Sequence, residues 1–449
     1  MPTRLDAVLD LVQSQRGDFL SRTSPVLLAR APARLDVMGG IADYSGSLVL
    51  EGTLSRAAHV AVQRRRDNRL RAMTVGVADL QQVVEFSLED FRTGNRLKSY
   101  PQIQHLFSTP QTRWAGYVLG GLHVLQQQKI VSGLPHGLNL LLSSDIAMGA
   151  GVASSAAIEV AAMRAICALY GLELDGLTLA RLCQMVENRI VGAPCGIMDQ
   201  VTSAVGQPRE LLALLCRPCE IIGHCAVPRG YRFIGINSGV KHSVGGLAYG
   251  RVRAAAFMGL KIIAAAGAAT SGHWCNVSPS DFAAEYEALL PDEMSGADFL
   301  QRYQKTGDTV TSVLPDLSYP VRQASRHPVY ENARVHRFAE LLTCGDEAAM
   351  IQAGNLMVQS HESYSACGLG APETDLLVRL VQECGPSAGL YGAKITGGGS
   401  GGTVAILAAQ GTAAVIRGIT AEYRRQTGLK PTVLTGSAEG AMHWGIKSL

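Results

Sequence analysis

The sequence predicts an α+β protein of two domains, and three observations support this. The chain has 449 residues, about three times a typical single domain. Hydrophobic residues make up 47% of it and charged residues only 17%, a balance typical of compact folded proteins and not of disorder. Strand-like and helical segments are interspersed. Up to residue 266, the strand-like segments are 47–63, 72–87, 138–143 and 231–237. The segments with apolar residues at helical spacing are 153–170, 177–191 and 248–266.

The second half of the chain has the same mixed character. We expect helices at 334–342, 348–360, 375–384 and 411–427, and strands at 389–396, 403–408 and 432–435. Residues 268–328 are richer in Ser, Pro, Asp and Gly, so we expect an elaborated segment there. The predicted domains are 1–220 and 221–449.

Charge and composition exclude several classes of function. The net charge is +3 and the longest basic run is Arg64-Arg65-Arg66, so we expect no nucleic-acid partner. No apolar segment has the length and composition of a membrane span, and the first twenty residues contain no apolar core of a secretory signal. We therefore expect a cytoplasmic protein without a membrane partner, and its ten cysteines to be reduced. The chain has one C-x-x-C pair, formed by Cys216 and Cys219, with His224 and Cys225 nearby. No second ligand pair follows at zinc-finger distance, so we expect structural cysteines and not a metal site.

Glycines gather in three loops, at 38–40, 148–151 and 397–402. The middle loop comes directly before the predicted helix at 153–170, so free backbone amides and the helix dipole favour an anion there. Ser154 or Ser155 in the first helical turn can offer a hydroxyl to phosphate or to Mg²⁺. An ordinary helix start capped by serine fits this loop equally well. No lysine follows the glycines, so the loop is not a Walker A motif, and it is not a dinucleotide-binding G-x-G-x-x-G loop after a strand of a βαβ repeat.

Four motifs in order resemble those of the GHMP small-molecule kinases, and in particular the galactokinases. They are APARLDVMGGIADYSG from 31, SSDIAMGAGVASSAA from 143, CGIMDQ from 195 and GAKITGGGSGG from 392. Two further segments, GVKHSVGGLAYGRVRAAAFMG from 239 and SYPVRQASRHPVYENARV from 318, are similar to the kinase domain of plant-type L-arabinokinases. The resemblance implies the two-domain GHMP fold, with an N-terminal ribosomal-protein-S5-like domain and a C-terminal ferredoxin-like domain.

The resemblance also implies ATP and Mg²⁺ as cofactors and assigns residues to them. The ATP loop corresponds to Gly149, Ala150, Gly151, Val152, Ala153, Ser154 and Ser155, and the Mg²⁺ ligands to Ser155 and Glu187. Asp199 matches the catalytic aspartate and Arg34 the arginine beside the transferred phosphoryl group. A carboxylate can accept the proton of a sugar hydroxyl while a guanidinium offsets phosphoryl charge, so these residue types suit the chemistry. An ordinary surface ion pair is the alternative for both.

For the sugar, Asp43 matches the galactokinase aspartate that binds ring hydroxyls, and Tyr44, Tyr249 and Gly398 fall in the matching motifs. Galactokinases carry Gly-Glu-His-Thr-Asp-Tyr where this chain has Gly-Gly40-Ile41-Ala-Asp-Tyr. The glutamate associated with the C6 hydroxyl of galactose is therefore missing, and Ile41 is apolar. L-Arabinopyranose lacks that hydroxymethyl group, so the departure favours a pentose site, since a buried hydroxyl without an acceptor is costly. On this view Gly40→Glu should raise activity on galactose relative to arabinose.

The sequence thus favours an anomeric sugar kinase that converts L-arabinose to L-arabinose 1-phosphate. The alternatives are a galactokinase and a galactokinase-like protein that senses sugar and ATP without turnover. The chain retains Arg34, Ser155, Glu187 and Asp199 together, which favours catalysis over a sensor. The expected partners are the sugar and ATP, with the protein a monomer or a homodimer. His242, His327 and His336 lie outside these motifs, so we expect structural hydrogen bonding from them.

Overall fold

The computed structural model describes residues 4–75, 82–240, 247–268 and 272–449. Two mixed layers of strands and helices make up most of the chain. The strands are β1 Leu27–Met38, β2 Leu48–Arg64, β3 Arg69–Thr74, β4 Val83–Ser87, β5 Arg92–Thr93, β6 Arg96–Leu97, β7 Leu138–Ser144, β8 Glu210–Leu215, β9 Glu220–Ala226, β10 Tyr231–Asn237, β11 Met294–Ser295, β12 Ser318–Tyr319, β13 Leu390–Ile395, β14 Thr403–Ala409, β15 Thr432–Leu434 and β16 Lys447–Ser448. The helices are α1 Arg4–Ser14, α2 Tyr100–Leu106, α3 Arg113–Gln127, α4 Ser154–Leu169, α5 Gly176–Met185, α6 Met198–Val205, α7 Leu247–Ala265, α8 Pro279–Asp281, α9 Gly296–Tyr303, α10 Val321–Cys344, α11 Glu347–Ala366, α12 Pro372–Cys384, α13 Ala413–Thr427 and α14 Ala441–Trp444.

The first sheet is organised around the long strand β2. The strand order is β16-β1-β2-β7-β3-β4, and the hairpin of β8 and β9 is added through pairing of β8 with β2. Because β2 has 17 residues, it pairs with β8 at 48–52 and with β7 at 58–64, on the side opposite β1. Helix α4 packs against β1 and β2, and its apolar face is buried there. The first helical turn of α4 is thereby fixed next to β1.

The second sheet has the order β13-β14-β10-β15 and is antiparallel. Helices α11 and α12 pack on β13, and α12 also contacts α13. Ile234 and Ile236 of β10 and Val404 and Ile406 of β14 are almost completely buried in this layer, as the alternating pattern of these segments predicts. The glycine loop at 397–402 connects the neighbouring antiparallel strands β13 and β14.

Most predicted elements are confirmed. The segment 47–63 forms β2, 153–170 forms α4 and 231–237 forms β10, each within two residues of the expected bounds. The helix expected at 177–191 is regular only to Met185 and continues as a π-helical turn over Val186–Val191. The helix expected at 334–342 is longer, because α10 begins at Val321 and continues through Pro328. Of the strand expected at 72–87, part lies outside the described residues.

The chain returns to its first sheet at the end. β16 pairs with β1, and α14 packs against α6 and β1. The predicted boundary between 220 and 221 falls after the first residue of β9, which is paired with β8 in the first sheet. That boundary therefore stays a prediction, although the chain clearly has two layers with separate sheets. In the described ranges, the helices are all too short or too polar to cross a membrane.

The elaborated segment has its own apolar core. Trp274, Phe282, Phe299 and Tyr319 are buried together with residues of α7 and α10. The same cluster includes Ile41 and Tyr44 of the loop that follows β1. The elaborated segment is therefore packed directly behind one of the predicted sugar-binding loops.

Candidate active site

A cavity of about 250 Å³ opens where the glycine loop at 148–151 meets the glycine loop at 397–402. Most of the residues predicted from the sequence line it: Arg34, Ile41, Asp43, Gly149, Gly151, Ala153, Ser154, Ser155, Glu187, Asp199, Tyr249 and Gly398. Four predicted residues are not in its lining, namely Gly40, Tyr44, Ala150 and Val152. Residues more than 350 positions apart in the sequence thus converge on one cavity.

The loop between β7 and α4 presents free amides to this cavity. Gly149 and Gly151 both have a φ of 72°, and Ala153 is left-handed at 56°. The first helical hydrogen bond of α4 runs from the amide of Ala157 to the carbonyl of Ala153, at 3.1 Å. The three amides before it, at 154–156, therefore have no acceptor within the helix and can receive an anion.

The third glycine loop packs backbone to backbone on this one. A Cβ added to Gly397 would lie 2.8 Å from the carbonyl oxygen of Gly151, and one added to Gly402 would lie 2.9 Å from that of Ala150. Thr403 Oγ1 also donates to the Ala150 carbonyl at 2.7 Å. Side chains at Gly397 and Gly402 would push the two loops apart, which explains why the third loop has glycine at these positions. Ala150 and Val152 act here through their carbonyls, since that of Val152 accepts from the amide of Arg34 at 3.1 Å.

The structure brings Arg34 and Asp199 into direct contact. Arg34 donates to Asp199 Oδ1 from Nε at 2.9 Å and from Nη2 at 2.5 Å. Its Nη1 donates to the Gly151 carbonyl at 3.3 Å, so the same side chain also touches the phosphate loop. Burial by itself would lower the pKa of Arg34, but Asp199 and Glu51 raise it above its usual range. The guanidinium is therefore a permanent positive charge between the two loops.

Behind this pair lies a buried polar cluster that sequence analysis missed. Glu51 Oε2 lies 3.3 Å from Arg34 Nε, and burial raises the pKa of Glu51 well above its usual range. Lys394 Nζ contacts Asp36 Oδ2 at 3.0 Å, and both side chains are fully buried. Tyr364 donates to the same Asp36 oxygen at 3.3 Å. Asp36 lies two residues after Arg34 in β1, and Lys394 and Asp36 are 358 positions apart, so only the fold reveals this pairing.

Ser155 and Glu187 meet at the other wall of the cavity. Burial raises the pKa of Glu187 to about 7, while a hydrogen bond with Ser155 opposes this rise. Glu187 lies in the π-helical turn after α5, a distortion that often accompanies functional residues. Gln200 Nε2 donates to Glu187 Oε2 at 2.8 Å and to Glu159 Oε2 at 3.3 Å. Gln200 belongs to the motif that begins at 195 and Glu159 to the predicted helix at 153–170, but the contacts of Gln200 with the two glutamates were not predicted.

This donor set fits Mg²⁺. A serine hydroxyl and a carboxylate are oxygen ligands, and Mg²⁺ commonly takes one or two carboxylates together with substrate phosphates and water. Among the described residues, no group of three or more His, Cys, Asp or Glu side chains is arranged around a metal position. Among the described residues that line the cavity, one side chain is cationic, Arg34, and three are carboxylates, Asp43, Glu187 and Asp199. A polyphosphate would therefore be repelled here unless a cation accompanied it.

Asp43 lines the cavity and packs directly on the loop that leads to Asp199. A Cβ added to Gly196 would lie only 1.4 Å from Asp43 Oδ2, so only glycine fits there. Asp43 Oδ1 is buried and without a hydrogen-bond partner in the described chain. Burial raises the pKa of Asp43 to about 6; Asp199 raises it further and Arg253 lowers it. The carboxylate is thus positioned to accept hydroxyl donors.

Two aromatic residues support Asp43 in different ways. Tyr249 lines the cavity, whereas Tyr44 is buried behind it. The two rings contact edge to face at 6.0 Å between centroids, and Tyr44 also packs on Phe257 at 6.2 Å. Tyr44 is therefore placed to support the wall of the cavity from behind.

The structure corrects the expectation for Gly40. A Cβ at this position would lie 1.8 Å from the Tyr364 hydroxyl and 2.1 Å from Asp36 Oδ2, both buried. The carbonyl of Gly40 contacts His327 Nε2 at 3.0 Å. A glutamate cannot be added here without displacing this buried cluster, so Gly40→Glu is unsuitable as a test of sugar preference. The neighbouring Ile41 lines the cavity and is left-handed, with a φ of 51°.

An apolar wall of the cavity is formed by residues of α3, β7 and α4, and sequence analysis did not identify it. Its members are Trp114, Tyr117, Leu142 and Ile158. Such a wall suits a flat heterocyclic base. The helical pattern of α3 alone gave no functional signal, because apolar residues at this spacing are also what a core helix needs.

The remaining sequence candidates are peripheral. His327 is buried and contacts Ser363 Oγ at 2.8 Å as well as Gly40, which confirms a structural role; His336 is exposed on α10; His242 lies outside the described residues. Cys216, Cys219 and Cys225 are free thiols at the hairpin of β8 and β9.

The chain is similar to known kinases over nearly its whole length. Residues 116–207 match the family model of the GHMP kinases N terminal domain, and residues 347–424 match that of GHMP kinases C terminal. The L-arabinokinase of Arabidopsis thaliana is 40% identical over 96% of this chain, which spans only 47% of that relative. The galactokinase of Chloroflexus aggregans is 32% identical, with 92% of this chain and 93% of the relative covered.

A solved structure shares the fold. The galactokinase of Lactococcus lactis, complexed with galactose, has a TM-score of 0.77 at 22% identity and is covered completely, at 100% of both chains. The two family models and the galactokinase relatives of similar length lead to one conclusion. The chain belongs to the GHMP kinase family and is one of its sugar kinases.

Proposed function

We propose that this sugar kinase transfers the terminal phosphoryl group of ATP to the anomeric hydroxyl of L-arabinose, giving L-arabinose 1-phosphate and ADP. The contact between Arg34 and Asp199 supports this chemistry, because it lies beside the amides of the phosphate loop. The 40% identity to an L-arabinokinase supports the choice of sugar. A cytoplasmic location and a monomeric or homodimeric state stay predictions from the sequence.

In the proposed mechanism the amides at 154–156 bind the phosphates of ATP, and the wall with Trp114 and Tyr117 binds the adenine. Arg34 stabilises the negative charge that spreads over the transferred phosphoryl oxygens. Asp199 accepts the proton of the sugar hydroxyl as the new O–P bond forms. Both hydrogen bonds from Arg34 go to Oδ1 of Asp199, which leaves Oδ2 for that proton. Ser155 and Glu187 would hold a Mg²⁺ ion, which neutralises phosphate charge when bound.

Asp43 and Ile41 are proposed to select the sugar. The carboxylate of Asp43 accepts two ring hydroxyls, and Tyr249 supports the ring from the side. The observation that carries the choice of a pentose is the wall formed by Ile41, which offers no hydrogen-bond partner, while Gly40 behind it admits no side chain. A C6 hydroxymethyl group against this wall would lose its hydrogen bond to water without replacement, and such a loss costs about 1–3 kcal/mol.

The direct test is an ADP-release assay with L-arabinose, with D-galactose and without sugar. We expect the highest kcat/KM with L-arabinose, by about 10- to 200-fold over D-galactose. Preference for D-galactose would identify a galactokinase. ADP release that is negligible with either sugar, despite binding, would identify a sensor.

A substitution at Ile41 tests the wall itself. Asparagine tolerates the left-handed backbone of this position better than isoleucine does, and it adds a hydrogen-bonding group to the cavity. We expect Ile41→Asn to raise the ratio of kcat/KM for D-galactose to that for L-arabinose by about tenfold. Ile41→Leu keeps the wall apolar and serves as the control. Equal ratios in both variants and the wild type would contradict this explanation of sugar preference.

A further inference from the structure

Arg253 is a buried charge at a point where three segments of the chain meet. It lies on α7 and is only 4% exposed. Its Nε and Nη2 donate to Asp308 Oδ2 and Oδ1 at 2.8 and 2.9 Å, and its Nη1 donates to the carbonyl of Cys195 at 3.3 Å. Asp308 belongs to the elaborated segment, and Cys195 to the loop that leads to Asp199. One guanidinium therefore ties both to α7.

The third segment is the sugar-binding loop. The guanidinium carbon of Arg253 lies 5.7 Å from the centroid of the Tyr44 ring, within the range of a cation–π contact. Tyr44 in turn contacts Tyr249, and Asp43 packs on Gly196, the residue after Cys195. Arg253 is not part of the cavity lining itself. It is placed to fix the groups around the sugar without touching the sugar.

Asp308 is held rigidly by its own segment. Its side chain is 3% exposed. Besides Arg253, its carboxylate accepts from Thr311 Oγ1 at 2.6 Å and from the amides of Val310 and Thr311, each at 3.1 Å. Thr311 also approaches α7 at Gly250, with 4.0 Å between its Cγ2 and a Cβ placed there, next to Tyr249. A bidentate arginine–carboxylate pair of this kind holds the two side chains in one defined relative orientation.

We propose that Asp308 and Arg253 form a positioning pair through which the elaborated segment 268–328 orients the sugar-binding residues Asp43 and Tyr249. The inference rests on the proposed sugar-kinase function and extends it to a segment without a role so far. The pair contacts the sugar end of the cavity and not the residues of the phosphate loop. Loss of the pair should therefore weaken sugar binding and leave nucleotide binding in place.

The test is calorimetric titration of the full-length protein with L-arabinose and, separately, with ADP. For Asp308→Asn we expect the Kd of the sugar to rise about tenfold or more, and the Kd of ADP to change less than about twofold. Asp292→Asn is the matched control, because it breaks an exposed ion pair with Arg322 in the same segment. An unchanged sugar Kd in Asp308→Asn, or equal rises for sugar and ADP, would overturn the proposal.

A double variant covers the case in which Asp308→Asn fails to fold. Arg253→Gln with Asp308→Asn removes both charges, so no unpaired charge is buried. We expect this double variant to fold but to bind the sugar more weakly than the wild type does. Glutamine lacks the planar, forked guanidinium group that contacts Asp308 and Cys195 together. A wild-type sugar Kd in this variant would reduce the pair to a stabilising role and overturn the proposal. If the wild-type protein binds only D-galactose, L-arabinose is refuted as the substrate but the positioning pair is not. The Kd of D-galactose is then compared between the wild type and the variants.

Discussion

Asp199→Asn is the substitution that separates the base from the ion pair. In the wild type, Oδ1 of Asp199 accepts both hydrogen bonds from Arg34, at 2.9 and 2.5 Å, and no described group donates to Oδ2. An asparagine can keep its oxygen toward Arg34 and its amide nitrogen in place of Oδ2. That nitrogen cannot accept a proton, so the variant loses the base and retains most of the contact with Arg34.

The expected loss follows from the role of the missing group. A positioned general base contributes about 10²- to 10⁴-fold, so kcat should fall by that factor, which corresponds to an activation free energy higher by about 3–5 kcal/mol. Asp199→Ala should lower kcat by about 10²-fold or more. The melting temperature of Asp199→Asn should fall by only about 2–4 °C, because Asp199 is 22% exposed and Arg34 keeps Glu51 as a partner.

The assay is ADP release at saturating ATP and sugar, with thermal unfolding as the control for folding. KM for ATP should change less than about threefold, because the phosphate loop is untouched. A kcat for Asp199→Asn within about threefold of wild type would refute the role of Oδ2 as proton acceptor and leave Asp199 as an electrostatic partner of Arg34.

Three further predictions test other parts of the site. Because burial raises the pKa of Asp43 to about 6 and the ionised form binds the hydroxyls, kcat/KM for the sugar should fall about tenfold per pH unit below pH 6; a flat pH profile, or one that Asp43→Asn retains, would contradict this. Ser155→Ala and Glu187→Gln should each raise the Mg²⁺ concentration for half-maximal rate at least about tenfold with an unchanged KM for the sugar, and an unaltered Mg²⁺ titration would exclude them as ligands. Lys394→Met leaves the buried Asp36 without its cation, so the free energy of unfolding in guanidinium should fall by about 3–5 kcal/mol; a loss under about 1 kcal/mol would show that the pair contributes little.

Much of the fold was predictable because its signals are local. The alternation in β2 and β10 and the apolar face of α4 each reflect which side of an element is buried, and the sequence carries that period directly. The glycine loops were equally visible, because the left-handed φ values of Gly149 and Gly397 favour glycine. The resemblance to the GHMP kinases assigned Arg34 and Asp199 to the same phosphoryl transfer, and the two side chains do meet.

The parts that sequence analysis missed depend on contacts between distant segments. Gly40 was interpreted as a position open to a glutamate, but Tyr364, 324 positions later, fills the space beside it. Lys394 was counted only as part of a glycine motif, although it forms a fully buried ion pair with Asp36. The role of Arg253 required knowledge of where Asp308 lies. No periodicity or spacing encodes such pairings, because each depends on how two layers pack.

The central claim is that Oδ2 of Asp199 receives the proton of the anomeric hydroxyl while Arg34 faces the terminal phosphate. A crystal structure of the protein with L-arabinose and a non-hydrolysable ATP analogue tests it most directly. We expect the C1 oxygen at hydrogen-bonding distance from Asp199 Oδ2, about 2.6–3.2 Å, and in line with the terminal phosphorus. A sugar that presents another hydroxyl to Asp199, or a terminal phosphate held away from Arg34, would contradict it.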